Sequence, residues 1–233
     1  MKSKLFLAIV LIPLFSLSLI ASLAACSGRI SGALASDGQA EFSLEISLVK
    51  SLVPIMGNAL NAREIAQSFA AVPGVESVNL RELSSSSLEG SVKLSRIDHF
   101  LALPVSASGK QFIRYEEAGQ GLSRLVISLD RSISPQIAAL LSEDVRDYLS
   151  ALIPPAVTGE DLSKEEYLAL ISAIYSRTMM NEIRDARISL SIDFPRPIQR
   201  IQGGAYRDRR AEFTLSLLDL LVLEQPITWE VSW

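Results

Sequence analysis

The 233-residue chain has one cysteine and one histidine. A lone Cys26 excludes an intramolecular disulfide and any multi-cysteine zinc or iron–sulfur site. A lone His99 excludes a histidine metal cluster within one chain. Glycine and lysine never combine into a phosphate-binding loop: Gly119-Gln120-Gly121 lacks the third glycine of a dinucleotide loop, no Walker lysine follows, and Gly203-Gly204 fails the same test. No Gly-x-Ser-x-Gly elbow is present for His99 to serve, so it reads as a helix-start or surface residue. Basic excess is missing as well. The formal charge is −4, which disfavours general nucleic-acid binding. Neither a metal nor a cofactor is expected.

Charge is absent in a second sense. From Leu5 to Ala25 no residue is charged, and Lys2 and Lys4 precede that run. Basic, then apolar, then small (Ser22, Ala24, Ala25) is the layout of a secretory signal peptide. An uncleaved membrane span competes with it, because 21 uncharged residues are long enough to cross a bilayer. Ser16, Ser18, Ser22 and Pro13 weaken the span.

Leu23-Ala24-Ala25-Cys26 resembles the lipobox of bacterial lipoproteins. That resemblance implies that residues 1–25 are cleaved, that Cys26 is acylated, and that 26–233 forms one lipid-anchored domain. It also implies a place in the bacterial cell envelope. Ser27, not Asp, follows the cysteine, which by analogy with the enteric sorting rule favours the outer membrane over the inner. One acyl chain holds a membrane marginally, at ~0.8 kcal/mol per buried CH₂, whereas two or more hold it lastingly. Cleavage removes two lysines and no acid, which moves the formal charge from −4 to −6. Acyl chains, not charge, must therefore hold the domain at an anionic surface. The first plausible strand residue is Ile30, which leaves a tether of roughly 14 Å at ~3.5 Å per residue.

Beyond the anchor, periodicity predicts an α+β domain: a mainly antiparallel sheet built from hairpins, with two to four helices packed on one face. Residues 39–48 alternate apolar and polar, Asp37-Gly38 is a hairpin turn, and 29–34 is the partner strand. Asn61 and Glu64 read as a capping box for a helix to about residue 71, stopped at Pro73-Gly74. Residues 75–83 and 88–97 form a hairpin around Ser84–Ser87. Asp98 opens a short helix to Leu103, and 111–116 pairs with 122–129. Ser134-Pro135 starts a helix that Pro154-Pro155 ends. Ser163 and Glu166 form a second capping box, with a helix to about Arg184 whose face is Tyr167, Leu168, Ile171, Ile174 and Tyr175. The C-terminal part returns to strands at 186–194, 211–215 and 227–233. Trp229 and Trp233, four apart on one strand face, read as core; the competing roles are a membrane-interface anchor or a pocket wall.

Two side-chain groups invite a functional reading. Glu143, Asp144, Asp147, Glu160, Asp161, Glu165 and Glu166 do not match a calcium loop and fit solvated helix starts; distant carboxylates could still meet as a glycosidase pair. Seven of the 16 arginines fall between residues 184 and 210: Arg184, Arg187, Arg196, Arg200, Arg207, Arg209 and Arg210. Arginine grips phosphate and carboxylate bidentately. Arg207, Arg209 and Arg210 are therefore candidates for contact with anionic headgroups or an acidic partner, against a plain solvated turn.

The hairpin at Asp37-Gly38 directly after Cys26, the following helix and strands, and the closing strand 227–233 together resemble bacterial lipoproteins of the spirochaetal and mycobacterial LppM-like kind. That resemblance implies an α/β module, implies lipid or glycolipid binding as a direction to test, and transfers no site residue. The leading expectation is a non-enzymatic envelope lipoprotein that binds a lipid, an amphipathic ligand or an envelope protein. A carboxylate-based glycan hydrolase and a purely structural surface lipoprotein are the alternatives.

Overall fold

A computed structural model of the chain describes residues 25–48, 51, 61–70, 74–97, 113–118, 122–132 and 152–233. Residues 1–24 of the expected leader, His99, the helix opened by Asp98, the Gly119–Gly121 turn, the helix begun at Ser134, and Glu143, Asp144 and Asp147 lie outside these residues.

The elements run β1 (Ala25–Leu34), β2 (Ala40–Leu48), α1 (Ala62–Ala70), β3 (Val75–Ser84), β4 (Ser87–Leu94), β5 (Ile113–Ala118), β6 (Leu122–Leu129), α2 (Pro155–Thr158), α3 (Lys164–Ser172), α4 (Arg177–Asp185), β7 (Arg187–Asp193), β8 (Arg200–Gln202), β9 (Ala205–Arg207), β10 (Arg210–Ser216), α5 (Leu217–Val222) and β11 (Ile227–Ser232). They build a seven-stranded sheet, β3-β4-β2-β1-β7-β10-β9, and a four-stranded sheet, β5-β6-β11-β8. Pairing is antiparallel except at the seam between β1 and β7, which is parallel from Ser27↔Arg187 to Ala33↔Asp193. The fold is α+β, as the alternation and short turns predict.

Local chemistry explains the first hairpin. Gln39 N–H donates to the Asp37 carboxylate at 3.0 Å, and Ala35 N–H donates to the Gln39 carbonyl at 2.8 Å. The carboxylate thereby mimics a backbone acceptor and closes the turn. Along β2, Ala40, Phe42, Leu44, Ile46 and Leu48 are buried, while Glu41, Ser43 and Glu45 face water. The same split continues through β4 and β7, so the large sheet is wet on one face and core on the other.

One hydrophobic core spans both sheets, from Ile30 to Trp233. Trp229 is fully buried and stacks on Phe213, with centroids 5.8 Å apart, and Trp233 packs on Phe194 at 4.4 Å. Both tryptophans are core residues, as their spacing predicts. Burying an indole removes about 150–250 Å² from water, roughly 4–6 kcal/mol at ~25 cal/mol per Å².

Three sequence expectations need correction. Pairing starts at Ala25, and Ser27 is already in register with Ser47 and Arg187, so no four-residue tether separates Cys26 from the sheet. Pro154-Pro155 also starts a helix: Pro154 is the N-cap of α2 and Pro155 its first residue, where a missing N–H costs nothing. The helix from Ser163 breaks after Ser172, and Ser176 caps a new one, α4, by accepting from Met179 N–H. Ile174 falls in that break and is 57% exposed, so it leaves the apolar face assigned to it. The predicted N-cap holds: Asn61 accepts from Glu64 N–H, and the next backbone donor, Ala62 N–H, is taken up by Glu82 on β3.

Gly203-Gly204 is not a ligand loop. It is where the chain passes from the small sheet (β8) to the large one (β9) across Trp229. A Cβ on Gly204 would lie 2.4 Å from the Glu212 carbonyl and 2.7 Å from the Trp229 ring nitrogen. Gly203 sits at φ 81°, in the left-handed region. Overpacking of such a site costs about 1–3 kcal/mol. Gly204→Ala is therefore expected to lower the urea midpoint by that order, and Trp229→Phe in the same chain should show positive coupling in a double-mutant cycle by relieving the ring contact. Additive effects would disprove the close approach.

Candidate functional site

The seven arginines between 184 and 210 are close in sequence but are dispersed by the fold. Strand alternation and the jump between sheets send them to different places. Arg187, at the start of β7, donates to the Arg184 and Ala186 carbonyls at 2.7 and 2.8 Å and so satisfies the end of α4. Arg196 reaches the Ser123 hydroxyl at 3.4 Å and the Trp233 carbonyl at 3.3 Å. Arg200, opposite Ser232 on the small sheet, adds a weaker electrostatic pull to the Arg124 bond that holds the Glu230 carboxyl below its ordinary range.

Arg207, Arg209 and Arg210 do come together, on the β9–β10 turn. Asp208 occupies the left-handed region there, at φ 53°. The turn is pinned from the other side by Ile198 N–H to the Asp208 carbonyl at 2.9 Å and Phe194 N–H to the Arg209 carbonyl at 2.8 Å. With Asp193, Ala205, Tyr206, Asp208 and Glu212 the three arginines line an open groove of about 510 Å³. Tyr206 is 48% exposed.

The three cations are not equivalent. Arg210 is committed to Asp193 through two parallel bonds, Nε–Oδ1 2.9 Å and Nη2–Oδ2 2.7 Å. That guanidinium holds the Asp193 carboxyl below the usual range. Such an exposed pair contributes little to stability, but it withdraws Arg210 from the candidate contact set. Arg209 stands 4.0 Å from Asp208. Arg207 lines the groove and forms no ion pair or hydrogen bond among the described residues. The groove thus offers two available guanidiniums, an aromatic face and nearby carboxylates. That set suits a polar, partly anionic partner surface better than an acyl chain.

Of the acids singled out from the sequence that fall among the described residues, Glu166, Glu165 and Asp161 sit in helix-start or ion-pair positions, while Glu160 is exposed. Ser163 N–H donates to Glu166 at 2.8 Å and Glu166 N–H to the Ser163 hydroxyl at 3.2 Å, a complete capping box that holds Glu166 below its ordinary pKa. Glu165 lies in the same first turn. Asp161 accepts from Arg131, whose Nε also donates to the Val222 and Leu223 carbonyls at 3.1 Å each and whose Nη2 donates to the Leu162 carbonyl at 2.9 Å. Arg131 therefore closes the C-terminal end of α5, where Leu223 sits at φ 48°.

One constellation escaped the sequence. Ser216, Asp219 and Lys164 form a Ser–Asp–Lys chain, with Lys164 Nζ 2.8 Å from Asp219 Oδ1 and the Ser216 hydroxyl donating to the other carboxylate oxygen. Ser-x-x-Asp is a readable cap signal, but Lys164 stands 55 residues away from Asp219 and nothing local points to it. The chemistry is that of a helix cap. The Ser216 oxygen accepts from Asp219 N–H at 3.0 Å. Lys164 is pushed up by its bond to Asp219, so it stays an ammonium and cannot take a proton from the serine. Burial pushes Asp219 up, but the bonds from Lys164 and Ser216 outweigh it and leave the carboxyl below its ordinary value. On the small sheet Arg124 does the same for Glu230, at 2.6 Å.

No protein family matches the chain, and no curated protein sequence matches it. Among solved structures, the folded domain of LppM from Mycobacterium tuberculosis, determined by NMR, aligns over 88% of this chain and 87% of that one, with a TM-score of 0.42 and 10% identity. At that level no residue of that domain can be carried onto this chain.

Asp193, Asp219 and Glu230 all have folded pKa values below their unfolded ones. Their stabilisation is present above the ordinary carboxylate range near pH 4 and is lost as pH falls through the depressed folded values. The urea midpoint should therefore fall on acidification below about pH 5, with a shallower fall in Asp219→Asn. A pH-independent midpoint would overturn this assignment.

Proposed function

We propose that the chain is a lipid-anchored envelope lipoprotein that works by binding and not by catalysis. The observation that carries this reading is the junction at Cys26. The sequence Leu23-Ala24-Ala25-Cys26 ends where sheet pairing begins. Cutting between Ala25 and Cys26 removes a single register pair, Ala25↔Leu48, and leaves the β1 pairings from Ser27 onward intact. A lipid on Cys26 would then be joined to the sheet with almost no intervening chain. Envelope localisation follows from such an anchor, and Ser27 favours the outer membrane by the enteric rule.

Binding is favoured over hydrolysis because Glu166, Asp161 and the Ser216–Asp219–Lys164 chain are spent on caps and pairs. The groove at Arg207 and Arg209 supports a polar protein partner over an enclosed lipid. No cofactor enters this reading.

Mass spectrometry of the protein from a bacterial host is expected to find an N-terminal peptide starting at an acylated Cys26, and Cys26→Ser to accumulate with residues 1–25 attached. An unmodified Cys26 would overturn the anchor. Native mass spectrometry of the chain without its leader and with Cys26→Ser is expected to give the bare protein mass; a co-purifying lipid would replace the partner-binding reading with lipid carriage.

A further inference from the structure

We infer that the domain stands end-on upon its membrane, with the Ser84–Ser87 hairpin, Leu83, Arg184 and Arg187 against the headgroups and the Arg207–Arg210 turn facing away. This rests on the lipid anchor at Cys26 proposed above; everything else in it comes from sheet register.

β1 is a central strand. Its first paired residue after Cys26 is Ser27, which is opposite Ser47 on one side and Arg187 on the other. Ser47 is opposite Ser87, Ser87 is opposite Ser84, and Arg187 is opposite Ser216. These residues form one row across the end of the large sheet. Leu83 is the bulge residue between Glu82 and Ser84 in that row and is 50% exposed. Arg184 lies in the last turn of α4, three residues before Arg187. The end that would carry the lipid therefore also carries an exposed leucine and two arginines, with the exposed Asp185 between them in sequence; an apolar side chain flanked by guanidiniums suits an anionic bilayer surface.

The other end of β1 is Ala33, opposite Asp193, which is itself opposite Arg210. Six strand rises of ~3.3 Å place this end about 20 Å from Ser27. That is roughly twice the ~8–10 Å over which salt leaves a surface charge effective. Arg207, Arg209 and Arg210 were candidates for headgroup contact on sequence alone; on an end-on domain they are out of reach of the leaflet that holds Cys26. Laying the domain on its wet face would bring in mostly paired cations: Arg29 is engaged with Glu45, Arg81 with Glu89, Lys93 with Glu41 and Arg210 with Asp193. Among the described residues Arg187, in the row of Ser27, and Arg207, opposite Arg210, are the cations of that face without an acid partner.

The test uses the acylated full-length product in vesicles of phosphatidylethanolamine and phosphatidylglycerol that contain a headgroup-nitroxide lipid. With the Cys26 sulfur consumed by the lipid, Ser85→Cys or Arg209→Cys supplies the single thiol for a fluorophore. The label at 85 is expected to lose most of its emission and the label at 209 almost none. In the Ser85→Cys protein, Arg184→Glu is expected to weaken the quenching, while Arg207→Gln with Arg209→Gln leaves it unchanged. Hydrogen exchange of the unsubstituted lipoprotein, on vesicles against detergent, should show added protection around residues 82–87 and none around 205–210. Equal quenching at both labels, or stronger quenching at 209, overturns the end-on arrangement. A product without acyl mass on Cys26 overturns the anchor reading instead, and mass spectrometry of the same sample separates the two failures.

Discussion

The parallel pairing of β1 with β7 is the constraint on which the large sheet depends. It joins strands more than 150 residues apart and places β1 between β2 and β7. Taken alone, β1 is a poor strand. Its core-facing row holds Ile30 and Leu34, with Gly28 before them and Gly32 between them. The space above Gly32 is filled from the neighbouring strand: a Cβ there would stand 2.2 Å from the Phe42 ring. The strand therefore acquires its share of core only when β2 covers one side and β7 the other. A contact of such sequence separation makes folding slow compared with local helix or hairpin formation, although loop closure itself adds only a logarithmic entropy term. The chain has to be nearly complete before its first strand is held on both sides.

Around that seam, polar side chains keep water and core apart. On the wet face Ser91, Ser43, Ser31 and Ser191 share one row across four adjacent strands. Charged residues in the neighbouring rows pair across strands. Such pairs are worth little individually because they are exposed. Their effect is to leave a broad, flat sheet face without a run of apolar side chains, so that the face does not recruit another sheet. Where burial is deeper, polar groups close helix ends: Ser216 and Asp219 at one end of α5, and Arg131 at the other.

What was legible in the sequence was local. Alternation located β2, β7, β10 and β11. Asp37-Gly38 located the first turn, and the Ser163–Glu166 box the start of α3. What was illegible depends on distant partners. The break after Ser172 has only Ser176 as its signal, and a continuous apolar pattern masks it. β8 and β9 are three residues each and exist because β11 and β10 accept them. The start of α5, a run of leucines after Ser216, has no helical period to show because all its sides but one are buried. The arginine cluster was legible as composition but not as a site: only register reveals that Arg187 and Arg210 sit at opposite ends of two paired strands.

The same register decides what a tether at Cys26 would mean mechanically. A load applied along β1 from its first residue runs parallel to the strand. The hydrogen bonds to β2 and β7 then carry it together in shear, and none can break without its neighbours moving as well. Had the anchor joined an edge strand such as β3 or β9, the same load could separate one strand from one neighbour. A central strand flanked on both sides distributes the load over two ladders, and the core residues Ile30 and Leu34 must slide past Phe42, Leu44, Leu190 and Ile192 before either ladder yields. The weak, glycine-containing strand is thus supported from both sides. A short junction would be no weakness under those conditions: with almost no slack between a lipid and the sheet, the orientation of the strands would be the orientation of the domain, and the groove at the far end would be presented at a fixed height above the surface.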